Sequence, residues 1–174
     1  MSTQEQSESV LCIGELDVDQ LSKFFGDHGL TLKPVADGQD IPGSHWGERE
    51  AGLIKHSLYY RMDTPVHSIL HEAGHWLMMD DARRKALHSD ALGSQAEEDA
   101  VCYLQVLMAE LVPGMGCERM FTDMDNWGYS FMAGRSRTWF FEDASDAKAT
   151  LLQRLKSAPL LAQQLSHCAV SDMA

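Results

Sequence analysis

Hydrophobic and polar positions along the chain predict helices interrupted by a few short extended segments. In residues 17–29, "DVDQLSKFFGDHG", Val18, Leu21, Phe24 and Phe25 recur at helical spacing, and Gly29 can end the helix. Residues 30–35, "LTLKPV", read as a short strand, and 36–50 as a loop rich in turn residues. Residues 52–62, "GLIKHSLYYRM", end in β-favouring side chains and read as one further strand. A long helix then starts with Thr64 as N-cap and Pro65 at the first helical position, where its missing N–H costs nothing. Val66, Ile69, Leu70, Ala73 and Leu77 form its apolar stripe, and the pattern runs on through residue 87. "SDALG" at 89–93 breaks it. Ser94 and Glu97 have capping-box spacing ahead of a second strong helix, which "VPGMG" at 112–116 ends. Residues 117–142 place aromatics among glycines and read as irregular or short strands. Residues 143–157 and 159–168 read as two final helices. The class expected is α+β, predominantly helical.

Composition narrows this picture. A chain of 174 residues fits one domain with a substantial core, and 44% hydrophobic with 23% charged residues is ordinary for a globular protein. No apolar run approaches the roughly 20 residues of a membrane helix, so no membrane partner is expected. Residues 1–10, "MSTQEQSESV", lack the basic and apolar segments of a signal peptide and read as a disordered lead-in to a domain over 11–174. Cys12, Cys102, Cys117 and Cys168 are scattered without a CxxC pair, which favours reduced thiols and a cytoplasmic setting. The net charge of −12 argues against nucleic acid and leaves a protein or peptide substrate open. The ten methionines are no cofactor signature, since those in "LMM" and "VLM" fall on apolar helix faces, where methionine fills gaps.

The chemistry concentrates in "HSILHEAGHWLMMDDARRKAL", residues 67–87. On a helix, His71 and His75 stand four apart on one face and can bind a single ion at about 2.0–2.1 Å each. Glu72 sits beside the first of them, placed to reach a water on that ion without entering its coordination sphere. Gly74 inside the helix costs about 1 kcal/mol relative to Ala, which a close approach by another segment would justify. The third ligand is expected from "SQAEEDAVCY", residues 94–103. Glu97 has a capping role available to it, Glu98 has no local duty, and Asp99 suits the helix N-terminus electrostatically. His67, one turn before His71, is a candidate for the pocket wall or for supporting the ligands, or else it faces solvent, since three successive turns cannot converge on one ion without bending the helix. Arg83 and Arg84 read first as a solvated helix end with partners such as Asp80, and second as anchors for a substrate carboxylate or phosphate. Tyr59 and Tyr60 read first as packing aromatics and second as sources of a hydroxyl at the site, and His45 and Trp46 as loop residues able to line a pocket.

These residues resemble known families. "HEAGH" resembles the zincin metallopeptidase motif, and a glutamate on a following helix resembles the gluzincin arrangement. More narrowly, "HEAGHWLMMDDARR", with Trp76 after the second histidine and Ala82-Arg83-Arg84 following, is similar to bacterial elongation factor P hydroxylases. "EDAVCYLQ", with Glu98, Asp99 and Gln105, is similar to the same family. The resemblance implies a zincin-like single domain with the motif on a central helix, and it selects Glu98 as the third ligand. It leaves two catalytic readings. A zinc metallohydrolase would use His71, His75 and Glu98 as ligands and Glu72 as general base. An Fe(II) protein hydroxylase would use the same three as a facial triad, with iron in place of zinc and Glu72 outside the coordination sphere. The expected cofactor is one divalent transition metal, zinc ahead of Fe(II), and the hydrolase stands first because HExxH is more often hydrolytic. A purely structural metal is disfavoured, since such an ion gains nothing from Glu72.

Overall fold

The computed structural model describes residues 10–45, 47–87 and 93–168. Most of the expected lead-in therefore lies outside the described residues. Val10, at its end, is buried in the fold. After a single 3-10 turn (Ile13–Glu15), helix α1 (Val18–Gly26) starts at Asp17, whose carboxylate accepts from the amides of Asp19 and Gln20. Leu21 and Phe25 bury one face of α1 against the sheet that follows.

That sheet has three strands, β1 (Thr31–Pro34), β2 (Gly52–Ile54) and β3 (Ser57–Tyr60), in the order β1-β3-β2. β1 runs parallel to β3, pairing Thr31 with Ser57, and β2 runs antiparallel, pairing Leu53 with Leu58. The single strand expected over 52–62 is thus a hairpin. Its two-residue turn, Lys55-His56, is allowed by Lys55 entering the left-handed region at φ 54°. The described residues of the loop over 36–50 form no regular element, as expected. It packs on β2 so closely that a Cβ at Gly52 would overlap the carbonyl oxygen of Pro42.

Helix α2 (Val66–Met78) carries the histidine motif through the centre of the molecule, with Val66, Ile69, Leu70, Ala73 and Leu77 all buried. Its N-cap is Pro65, one residue later than expected. The Thr64 hydroxyl accepts from the amide of Arg61 and so closes the preceding turn instead of capping. The helix does not continue to residue 87. Met79 turns extended at ψ 145°, and Asp80 caps a separate short helix, α3 (Asp81–Ala86), by accepting from the amide of Arg83. The expected break at 89–93 lies outside the described residues except for residue 93.

Helix α4 (Gln95–Leu111) begins at Ser94, whose hydroxyl accepts from the Glu97 amide at 3.3 Å. It packs against α2 on one side and α6 (Ser145–Leu155) on the other. Between them lies a correction to the reading of 117–142. Residues Cys117–Trp127 form helix α5, with Met120, Phe121 and Met124 as its buried stripe. Gly116 at φ 79° and Gly128 at φ 100° bound it, in backbone conformations other residues rarely adopt. The flanking glycines and aromatics masked a helical stripe only three residues deep. Beyond α5, a helical turn (Ser136–Thr138) runs into a π turn (Trp139–Asp143) that stacks Phe140 on Tyr103 and Trp139 on Phe131. Helix α7 (Pro159–Ser166) closes the described chain. The fold is α+β and mostly helical, with a small three-stranded sheet. Among the described residues, no helix is long and apolar enough to cross a membrane.

Candidate metal centre

One turn of α2 separates His71 from His75, and the fourth residue of α4 is Glu98. What brings the two helices close enough is Gly74. A Cβ there would lie 2.9 Å from Cγ1 of Val101, a residue one turn beyond Glu98. The glycine that weakens α2 locally is therefore the contact point that brings Glu98 over the two imidazoles.

The three donors close on one another. His75 Nε2 lies 3.2 Å from His71 Nε2 and 3.1 Å from Glu98 Oε1, while His71 Nε2 lies 3.3 Å from Glu98 Oε2. Bonds of about 2.0–2.1 Å meeting at tetrahedral or octahedral angles set neighbouring donors about 2.8–3.4 Å apart. The three separations fall inside that range, so His71, His75 and Glu98 form a cluster that could hold one metal ion. Burial opposes charge on His71, yet Tyr129, Cys102 and Glu98 around it outweigh that and raise its pKa well above the ordinary imidazole value. Hydrogen bonds from His71 and His75 hold the Glu98 carboxyl far below the usual carboxylate range. Both shifts favour an ion pair between the imidazoles and the Glu98 carboxylate.

Behind the donors stands Gln105, fully buried on α4, whose Oε1 lies 2.8 Å from His71 Nδ1. An amide oxygen only accepts, so Nδ1 carries a hydrogen and Nε2 faces the cluster. His75 turns its Nε2 the same way and leaves its Nδ1 buried without a hydrogen-bond partner among the described residues.

A cleft of roughly 720 Å³ opens over the cluster, and Glu98, 41% exposed, reaches into it. Glu72 lines the cleft. Burial raises its pKa, against the pull of His71 and His75. Glu50 lines it too, accepting from the Trp127 indole at 3.0 Å, and burial also raises its pKa. His67 forms part of the wall, 1% exposed and outside the cluster, with Nδ1 3.2 Å from the Tyr129 hydroxyl. Burial, aided by the charges of His71 and Arg49, lowers its pKa to about 3. Burial pushes the Tyr129 phenol up to about 12.

The other candidates separate cleanly. Glu97 faces away from the cluster. Its carboxylate does not complete the capping box but takes a two-pronged pair with Arg83, at 2.6 and 2.9 Å. Arg83 is therefore tied to α4 rather than to Asp80, whose side chain serves the Arg83 amide. Arg84 stacks on Trp76 at 4.6 Å and donates to its carbonyl oxygen. Asp99 lies at the cleft rim and accepts from Gln95. Tyr59 and Tyr60 stay in the sheet, away from the cleft, and the tyrosine that lines it is Tyr129. His45 is exposed at the cleft, and Trp46 lies outside the described residues. Glu50, Cys102, Trp127 and Tyr129 join the site with no local sequence signal. Gln105 stood only inside a block of family similarity. No family model, curated protein or solved structure matches the chain.

Proposed function

We propose that the chain is a metal-dependent enzyme in which His71, His75 and Glu98 hold one divalent transition metal and Glu72 moves the proton. The observation that carries this reading is the closure of three donors at coordination spacing in the same cleft as the Glu72 carboxyl. The reaction it supports best is zincin-like hydrolysis of a peptide or protein. An ion of this kind, when bound, acidifies water and polarises a carbonyl. The chain's own part is acid–base work. Glu72, with its pKa raised by burial, accepts a proton from the attacking water and returns it to the leaving amine. Gln105 keeps His71 oriented during this cycle, and the sunken position of His67 leaves the cleft side of the cluster open to substrate.

A second reading is favoured by the charge of the cleft. Glu50, Glu72, Glu98 and Asp99 line it, and no lysine or arginine stands among its described lining residues. Such a cleft suits a protein that presents a basic side chain, which is what the resemblance to elongation factor P hydroxylases implies. In that reading the ion is Fe(II) and the three donors form a facial triad.

The test compares zinc- and iron-loaded protein, wild type and Glu72→Gln, on unstructured peptides and on lysine-modified elongation factor P. Hydrolysis predicts zinc-dependent cleavage that Glu72→Gln lowers about 10²–10⁴-fold with metal still bound. Iron-dependent addition of one oxygen to an intact partner, without cleavage by either form, would replace the first reading by the second. Bound metal with neither activity would leave a metal-binding protein.

A further inference from the structure

Gln105 has no exposed surface, so its amide must find partners for two N–H groups and one oxygen inside the protein. Those partners fix which end of the amide is which. Nε2 lies 3.5 Å from the thioether sulfur of Met120, which can only accept. Turning the amide over would set its oxygen lone pairs against that sulfur and leave both amide hydrogens facing His71. Oε1 therefore accepts from His71 Nδ1 at 2.8 Å, and the second Nε2 hydrogen is directed to the Tyr129 oxygen at 3.5 Å. Since that oxygen accepts from Gln105, the Tyr129 hydroxyl hydrogen is free to point at His67 Nδ1, 3.2 Å away. A histidine as deeply buried as His67 is neutral and has a single N–H. With Nδ1 accepting, that hydrogen sits on Nε2, the buried nitrogen that has no partner among the described residues.

We propose that Gln105 is the positioning residue of this centre, holding His71 and His67 in opposite tautomers through one hydrogen-bond chain of fixed direction. The inference rests on the metal reading of His71, His75 and Glu98. His71 keeps its hydrogen on Nδ1 and turns its Nε2 lone pair to the ion. His67, one turn earlier on the same helix, keeps its hydrogen on Nε2, while Tyr129 occupies the Nδ1 lone pair. Neither nitrogen of His67 then has a lone pair to offer an ion. The chain thus explains chemically, and not only sterically, why one member of the His67–His71–His75 ladder stays out of the cluster. It also gives Tyr129 a task apart from any contact with substrate.

The test uses the full chain, ¹⁵N-labelled at histidine and loaded with zinc, and reads the tautomers from long-range ¹H–¹⁵N spectra. The result expected is hydrogen on Nδ1 of His71 and on Nε2 of His67. Zinc affinity, measured by competition with a chromophoric chelator, should fall about 10–100-fold in Gln105→Leu. Gln105→Glu, which still accepts from His71 Nδ1, should recover most of that loss, a rescue that simple repair of packing would not give. Tyr129→Phe should move the hydrogen on His67 in the same spectra. Hydrogen on Nδ1 of His67 in the wild type would overturn the proposal. So would a folded Gln105→Leu with unchanged zinc affinity. Should Gln105→Leu fail to fold, the wild-type tautomers and the Gln105→Glu affinity decide. If the wild type takes up no zinc, the metal reading itself fails, and the His67 tautomer still judges the direction of the chain.

Discussion

Glu97 and Glu98 are neighbours in sequence, yet they leave α4 in different directions, one to Arg83 and the other to the two imidazoles. Exchanging each for glutamine separates a structural carboxylate from a liganding one. Glu98→Gln should abolish stoichiometric metal by elemental analysis while the fold survives. Glu97→Gln should keep its metal and lose about 1 kcal/mol in thermal or urea unfolding, the scale of a partly exposed two-pronged ion pair. Metal loss confined to Glu97→Gln would exchange the two roles. The histidine pair was legible in the chain because i,i+4 spacing on a helix is local information. The duty of Glu97 was not. Spacing from Ser94 correctly placed the N-terminus of α4, but the partner of the carboxylate sits fourteen residues earlier on another helix. Tyr129 and Glu50 were illegible as site residues for the same reason, since each reaches the cleft from a separate segment and neither has a spacing of its own. Gln105 stands two turns after Glu98 on α4, but its hydrogen bond to His71 crosses to another helix.

At the level of elements, periodicity located the helices well and their breaks less well. The long helix read through residue 87 is two, because Asp80 offers a cap that the continuing apolar pattern conceals. The helix at Cys117–Trp127 escaped notice because a narrow stripe lay between glycines. What periodicity could not show is how α2 and α4 meet, and there Gly74 is decisive. Alanine at 74 carries two opposed effects. It raises helix propensity by about 1 kcal/mol, and it presses a Cβ to 2.9 Å from a β-branched neighbour that has little freedom to turn aside. In the wild-type background Gly74→Ala should therefore destabilise or at best break even, and should weaken metal binding as α4 is pushed outward. In a Val101→Ala background the clash is gone, and the same change should stabilise by about 1 kcal/mol. A double-mutant cycle in urea measures the difference, and a coupling energy below about 0.5 kcal/mol would mean that this contact does not set the helix spacing. Arg154 supports the arrangement from α6, donating to the carbonyl oxygens of Leu77 and Met79 at the end of α2.

For the whole molecule, the sequence's net charge of −12 says nothing about where the charge sits, and the fold gathers part of it at the cleft over the cluster. The α+β class was readable from pattern. The cleft was not, because its walls come from the 43–50 loop, α2, α4 and the segment after α5, which only the completed fold assembles. Since His71, His75 and Glu98 belong to two helices packed through the core, an ion held between them would bind the folded state, and its binding free energy would become folding free energy. Zinc at a hundred times its dissociation constant should add about 2.7 kcal/mol, or about 5–11 °C in Tm for a chain of this size. Chelator should reverse the shift, and Glu98→Ala should show none. The pH dependence has a definite sign. The Glu98 pKa is depressed in the folded protein, so its carboxylate remains ionised well below the usual carboxylate range and does not limit binding in mild acid. The His71 pKa is raised, so a proton competes with the ion at that imidazole up to and beyond neutrality. The zinc-induced rise in Tm should accordingly grow between about pH 6 and pH 8 and fade near pH 5, where imidazole takes the proton in both folded and unfolded chains. A rise that is flat across this range, or one that persists in Glu98→Ala, would place the ion somewhere other than between these three donors.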